Sequence, residues 1–130
     1  MKRPEQMTGL HHVALHAREF EACERFYCDL LGMQVEWRPD PDNVYLTSGT
    51  DNLALHRASN PFGDAQHLDH IGFILSTPAA VDEWYAFLKS HAVAMKTEPR
   101  THRDGARSFY CQDPDGNTVQ LIYHPPLANR

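Results

Sequence analysis

Two short stretches of this chain repeat one another: Leu10-His11-His12-Val13-Ala14-Leu15 and Leu68-Asp69-His70-Ile71-Gly72-Phe73. They set two histidines 58 residues apart (70 less 12), and the offset persists, with Phe26-Tyr27 answering to Trp84-Tyr85, Leu30 to Leu88 and Val35 to Val93. After a longer loop in the second copy the match resumes at an offset of 66 (119 less 53), with Leu53-Ala54-Leu55 against Val119-Gln120-Leu121. A repeat constrains architecture because each copy must build the same supersecondary unit. Copies of about 60 residues bury too little surface to stand alone, so the two are expected to fuse into one domain spanning residues 1–130.

Hydrophobic periodicity predicts what each copy builds. Residues 9–16 alternate as a strand does, with Val13 and Leu15 on one side and His12, Ala14 and His16 on the other. From Phe20 the apolar spacing widens to three and four residues through Cys23, Phe26, Tyr27 and Leu30, an amphipathic helix that Gly32 ends. Strands are predicted over 33–38, 43–47 and 52–56, separated by Pro39-Asp40-Pro41-Asp42 and Ser48-Gly49-Thr50-Asp51. The second copy repeats the order. A strand over 68–75 leads to a helix capped by Thr77 with Pro78 at its first position, and Val81, Trp84, Tyr85 and Leu88 form its buried face. Strands follow over 93–97, 107–111 and 117–123, the last two joined by Asp113-Pro114-Asp115-Gly116. The fold class is therefore α+β, two tandem βαβββ modules (about 8–57 and 67–124) forming a concave mixed sheet, with an irregular tail over 124–130.

Strand parity then selects candidate functional residues. If Val13, Leu15, Leu53, Leu55, Ile71, Phe73, Val119 and Leu121 pack on the helices, the opposite faces carry His12, Ala54, His70 and Gln120. Three of those four side chains can bind a metal, and imidazole suits iron, zinc, nickel and copper alike. The alternative for the two histidines is the lining of a metal-free pocket. His16 and His56 share these faces two residues or more along their strands and are expected at the rim, His56 in contact with substrate.

The net charge of −5 offers no basic field for a phosphate backbone or an anionic membrane surface, so neither nucleic acid nor membrane is an expected partner. Purely apolar runs reach about five residues against the roughly 20 that span a bilayer, and residues 1–8 lack an apolar signal core; a soluble, cytoplasmic protein is expected. Cys23, Cys28 and Cys111 are odd in number and contain no Cys-x-x-Cys pair, which points to packed, reduced thiols.

The paired modules, His12, His70 and Gln120 at the candidate metal positions, and Asp113-Pro114-Asp115-Gly116-Asn117 before the last strand together resemble the vicinal oxygen chelate superfamily. That group includes glyoxalase I, extradiol dioxygenases, fosfomycin-resistance thiol transferases, methylmalonyl-CoA epimerases and bleomycin-binding proteins. The resemblance spans Thr8 to about Tyr123. It implies a metal held by His12, His70 and Gln120, with Fe(II) favoured and Zn, Ni or Mn as alternatives. Glyoxalase I and the epimerases carry an acidic or amide ligand where this chain has Ala54, and glyoxalase I has a glutamate where it has Gln120. With both carboxylates gone, the three-ligand members fit better. The resemblance to dioxygenases further implies that Tyr110, ten residues before Gln120, faces substrate and that His102, eight before Tyr110, transfers a proton. The activity it implies is extradiol cleavage of a catechol ring. The alternatives are a glyoxalase-like isomerase or thiol transferase, and a metal-free binding protein of the bleomycin-resistance kind.

Arg100, His102, Arg103 and Arg107 cluster in the loop that the second module adds. A solvated charged loop is one reading; a lid that clamps an anionic small-molecule substrate is the other, since the guanidinium fork matches carboxylate and phosphate geometry. A twofold homodimer is also expected, with Trp37, Phe62 and Leu127 as apolar groups that a partner would cover.

Overall fold

The computed structural model describes residues 1–4, 10–59, 68 and 70–125. It divides into two compact units, Met1–Ser59 and Asn60–Arg130, at a point between the two expected modules. Each unit builds its own four-stranded sheet, and strand order is the same in both.

In the first unit β1 (His12–Ala17) leads to α1 (Phe20–Arg25), which continues as a π-helical turn (Phe26–Leu30). Leu31 N–H reaches back to the Phe26 carbonyl at 3.1 Å, and Gly32, at φ +83°, lets the chain reverse without a Cβ clash. The turn is wound wide where Phe26 and Tyr27 enter the core, both buried and packed edge to face at 5.0 Å. β2 (Gln34–Asp40), β3 (Asn43–Thr47) and β4 (Asn52–Arg57) follow, giving the order β1-β4-β3-β2. Pro39 is tolerated because β2 is an edge strand. Parity holds as read from the sequence: Leu15, Val44, Leu46, Leu53 and Leu55 are buried, while His12, Ala14 and His16 are exposed. Arg57 joins β4 to α1 through Glu21 (2.5 Å) and lies 4.7 Å from the centre of the Phe20 ring.

The second unit runs β5 (Ile71–Leu75), α2 (Pro78–Ser90), β6 (Arg100–Thr101), β7 (Arg107–Gln112) and β8 (Thr118–Tyr123), in the order β5-β8-β7-β6. Thr77 caps α2, its hydroxyl accepting from Ala80 N–H at 3.1 Å, with Pro78 next as expected. Val81 and Leu88 are fully buried, and Tyr85 packs edge to face on the buried Phe109 at 5.3 Å. The carboxylate of Asp113 accepts from the backbone N–H groups of Asp115 and Asn117, so this buried acid organises the turn before β8.

The strand predicted over 93–97 is not formed. Ala92 takes a left-handed conformation (φ +61°) and only Met95 makes a bridge, to Cys111. Lys96 and Thr97 both donate to the Tyr110 carbonyl, while Tyr110 N–H turns to the Thr97 hydroxyl at 2.9 Å, so a side chain replaces one rung of the ladder. Pro99, which has no N–H, separates this segment from the two-residue β6.

Both repeat offsets reappear as register. Ala14 pairs with Ala54 and Gly72 with Gln120; 72 less 14 is 58, and 120 less 54 is 66. Equal register means that residues matched by sequence occupy matched places in their sheets.

Candidate functional site

In the second unit the candidate residues converge on the sheet face turned away from α2. Along β7, Phe109 and Cys111 are buried on the helix side, which leaves Ser108, Tyr110 and Gln112 on the other. Tyr110 pairs with Gln120 on β8, and the Gln120 Nε2 donates to the Tyr110 hydroxyl at 3.1 Å. His70, just before β5, presents its ring edge to face with that of Tyr110 at 5.4 Å and 81°. Gly72, two residues on, lies opposite Gln120, and a Cβ there would stand 3.3 Å from Gln120 Oε1. Glycine thus leaves room for the amide oxygen to turn toward the β5 side of the sheet.

His12 opens β1 in the first unit and pairs with Asn52. Its Nδ1 is 2.7 Å from Asn52 Oδ1, and Asn52 Nδ2 donates in turn to Glu36 Oε1 at 3.3 Å. An amide whose nitrogen is committed to a carboxylate offers its oxygen to the ring. In the neutral ring Nδ1 then carries the hydrogen and Nε2 the lone pair, a tautomer able to ligate a metal through Nε2. Ala54, matched to Gln120 by register, is fully buried and has no donor atom in its side chain. Among the described residues no three His, Cys, Asp or Glu side chains gather to hold a metal, so an ion bound through His12 or His70 needs a ligand of another type, for which Gln120 has the chemistry.

The charged segment over 100–107 is tied by backbone hydrogen bonds. His102 N–H bonds to the Ala106 carbonyl at 2.7 Å, and Gly105, at φ +87°, closes the turn between β6 and β7. Arg100 pairs with Ser108 and so shares the face of Tyr110, whereas Thr101 pairs with Arg107 on the helix side. His102 Nε2 lies 3.4 Å from the Ser108 hydroxyl. Arg100, Thr101, His102, Arg103 and Asp104 line an open concavity of about 590 Å³. Arg107 does not join them: its guanidinium grips Asp82 of α2 at 2.7 and 3.0 Å and the Thr101 hydroxyl at 2.9 Å. Its odd-numbered parity, shared with Phe109, carries it to the helix side.

Two residues that sequence reasoning passed over belong to these faces. Asn52 orients His12, and Tyr45 pairs with Ala54 as Tyr110 pairs with Gln120. Tyr45 is 9 residues before Ala54 and Tyr110 is 10 before Gln120, and that single-residue difference hides the match in the sequence. Cys23, Cys28 and Cys111 form no disulfide, and burial pushes the Cys111 thiol up to about 12, which removes it as a nucleophile.

Comparison with known proteins bears on the fold and family of the chain. The model of the Glyoxalase/Bleomycin resistance protein/Dioxygenase superfamily matches residues 9–121. The uncharacterized protein PA2024 of Pseudomonas aeruginosa is 32% identical, with 92% of this chain and 91% of that protein covered. YaeR of Escherichia coli K12, also uncharacterized, is 30% identical over 88% of this chain and 98% of its own. Among solved structures, a lactoylglutathione lyase from Agrobacterium tumefaciens shares the fold at a TM-score of 0.78 and 24% identity, covering 95% of this chain and 98% of that one. The chain carries the family's paired βαβββ units over nearly its whole length and belongs to the Glyoxalase/Bleomycin resistance protein/Dioxygenase superfamily.

Proposed function

We propose that this protein is a metal-dependent enzyme in which His12, His70 and Gln120 hold one divalent ion, Fe(II) in the first place, and that it cleaves a catechol-type ring with dioxygen. The observation that carries this reading is the grouping of His70, Tyr110 and Gln120 on one sheet face, with the Gln120 amide nitrogen committed to Tyr110. That commitment leaves Oε1 as the free acceptor of Gln120, the atom a metal would take. Held by these residues, Fe(II) would supply Lewis acidity toward the oxygens of substrate and dioxygen.

The remaining chemistry belongs to side chains. Tyr110 accepts a hydrogen bond from Gln120 and keeps its own hydroxyl hydrogen for an oxygen of the substrate. His102 serves proton transfer, and its contact with Ser108 gives the ring a fixed neighbour on the Tyr110 face. Arg100 and Arg103 bind an anionic group on the substrate; Arg107, paired with Asp82, takes no part. Ala54 supplies neither ligand nor base, which argues against isomerase chemistry that needs a carboxylate there.

The test is anaerobic purification with elemental analysis, followed by oxygen uptake with catechol and labelled dioxygen. Iron at one equivalent, with both labelled atoms in a ring-opened product, is the expected result. Nickel or zinc without oxygen consumption would assign the site to the glyoxalase-like class instead, and a metal-free protein that still binds small molecules would overturn the enzyme reading.

A further inference from the structure

The first unit contains the carboxylate–asparagine–histidine arrangement twice. One copy is Glu36–Asn52–His12. The other is Asp40–Asn43–His56: Asn43 Nδ2 donates to Asp40 at 2.9 and 3.0 Å, and Asn43 Oδ1 lies 2.6 Å from His56 Nδ1. The same reasoning applies as for His12. The amide nitrogen is committed to the carboxylate, so its oxygen accepts from Nδ1–H, and in the neutral ring His56 Nε2 bears the lone pair.

A second imidazole stands beside it. His16 pairs directly with His56 in the parallel register of β1 and β4, on the same sheet face, with ring centroids 6.1 Å apart and planes tilted by 52°. Strands neighbour one another at about 4.8 Å, so a facing pair of histidines reaches one ion by small side-chain rotations. Tyr45 closes one side, edge to face with His56 at 5.9 Å and stacked on Trp37 at 5.1 Å. His16 lies four residues beyond His12, about 13 Å along the strand, too far for the two to share an ion.

We propose that His16 and His56 form a second transition-metal site, separate from the one assigned to His12, His70 and Gln120. Two neutral imidazoles select a borderline ion such as Cu(II), Ni(II) or Zn(II) over Mg(II) or Ca(II). Water or a small ligand completes the coordination.

The experiment uses the full chain carrying His12→Ala and His70→Ala, stripped of metal and titrated with Zn(II) by calorimetry and with Cu(II) by electron paramagnetic resonance. One equivalent of ion should still bind, with nitrogen hyperfine structure from imidazole. Adding His16→Ala or His56→Ala should abolish it, and Asn43→Ala should weaken it by about 10- to 100-fold, the usual effect of removing a group that orients a ligand. In the wild-type background His56→Ala should remove one equivalent and leave any ion held through His12 and His70, which keeps the test independent of the proposed enzyme site. No binding at micromolar ion in the His12→Ala/His70→Ala chain, or binding that survives His16→Ala and His56→Ala together, would overturn the proposal.

Discussion

At the scale of single residues, the second unit's candidate site depends on a missing side chain. Gly72 has no Cβ, and one placed there would press on Gln120 Oε1 at 3.3 Å, tighter than ordinary van der Waals contact. The Tyr110 hydroxyl holds the other end of the amide, so any yielding of Gln120 strains that bond. Gly72→Ala is therefore expected to lower metal affinity by about tenfold or more while the strand stays formed, since ligand orientation and not fold is what it disturbs. Equilibrium metal titration beside a circular dichroism spectrum checks this, and unchanged affinity would remove Gln120 from the ligand set. Gln120→Glu works in the other direction: a carboxylate accepts from Tyr110 instead of donating to it, and the added charge should tighten divalent-ion binding.

At the scale of elements, parity and repeats were legible because they follow from two-residue and 3.6-residue periods that packing enforces. Gly32, Thr77 and the Asp113 turn were legible for a similar reason: each satisfies a backbone requirement that few residue types meet. What escaped was chemistry decided by side-chain partners. The bridge that replaces a strand near Met95 depends on the Thr97 hydroxyl standing in for a carbonyl, and Arg107 was drawn to Asp82 by a helix carboxylate 25 residues away in sequence. Arg107→Ala is expected to cost at most about 1 kcal/mol in a denaturant titration, as partly exposed pairs do, and to leave ligand affinity unchanged.

Acid should act on the corresponding tie in the first unit. The Arg57 hydrogen bond holds Glu21 down at about 2, below its ordinary 4.5. A carboxylate with a depressed folded-state value contributes its stability in full above the unfolded value and loses it as pH falls toward the folded one. The stability gap between wild type and Arg57→Gln should accordingly narrow between about pH 4.5 and 2; a gap constant across that window would contradict the pairing.

At the scale of the whole molecule, the repeat that shapes both sheets also limits what each unit does alone. His12 belongs to one unit and His70, Tyr110 and Gln120 to the other. Of the apolar groups expected at a dimer surface, Phe62 and Leu127 lie outside the described residues. Trp37 does remain 58% exposed on edge strand β2, with Val35 two residues away at 46%. A twofold partner is the commonest cover for such groups, and a stable interface of this kind buries at least about 1,000 Å². The chain is expected to sediment as a homodimer at micromolar concentration, and a monomer there would refute it. Mixing His12→Ala with His70→Ala chains then locates the centre. If its ligands come from two protomers, a heterodimer regains one intact set and metal binding returns; if each set lies within one chain, every site in the mixture still lacks a histidine and binding stays lost.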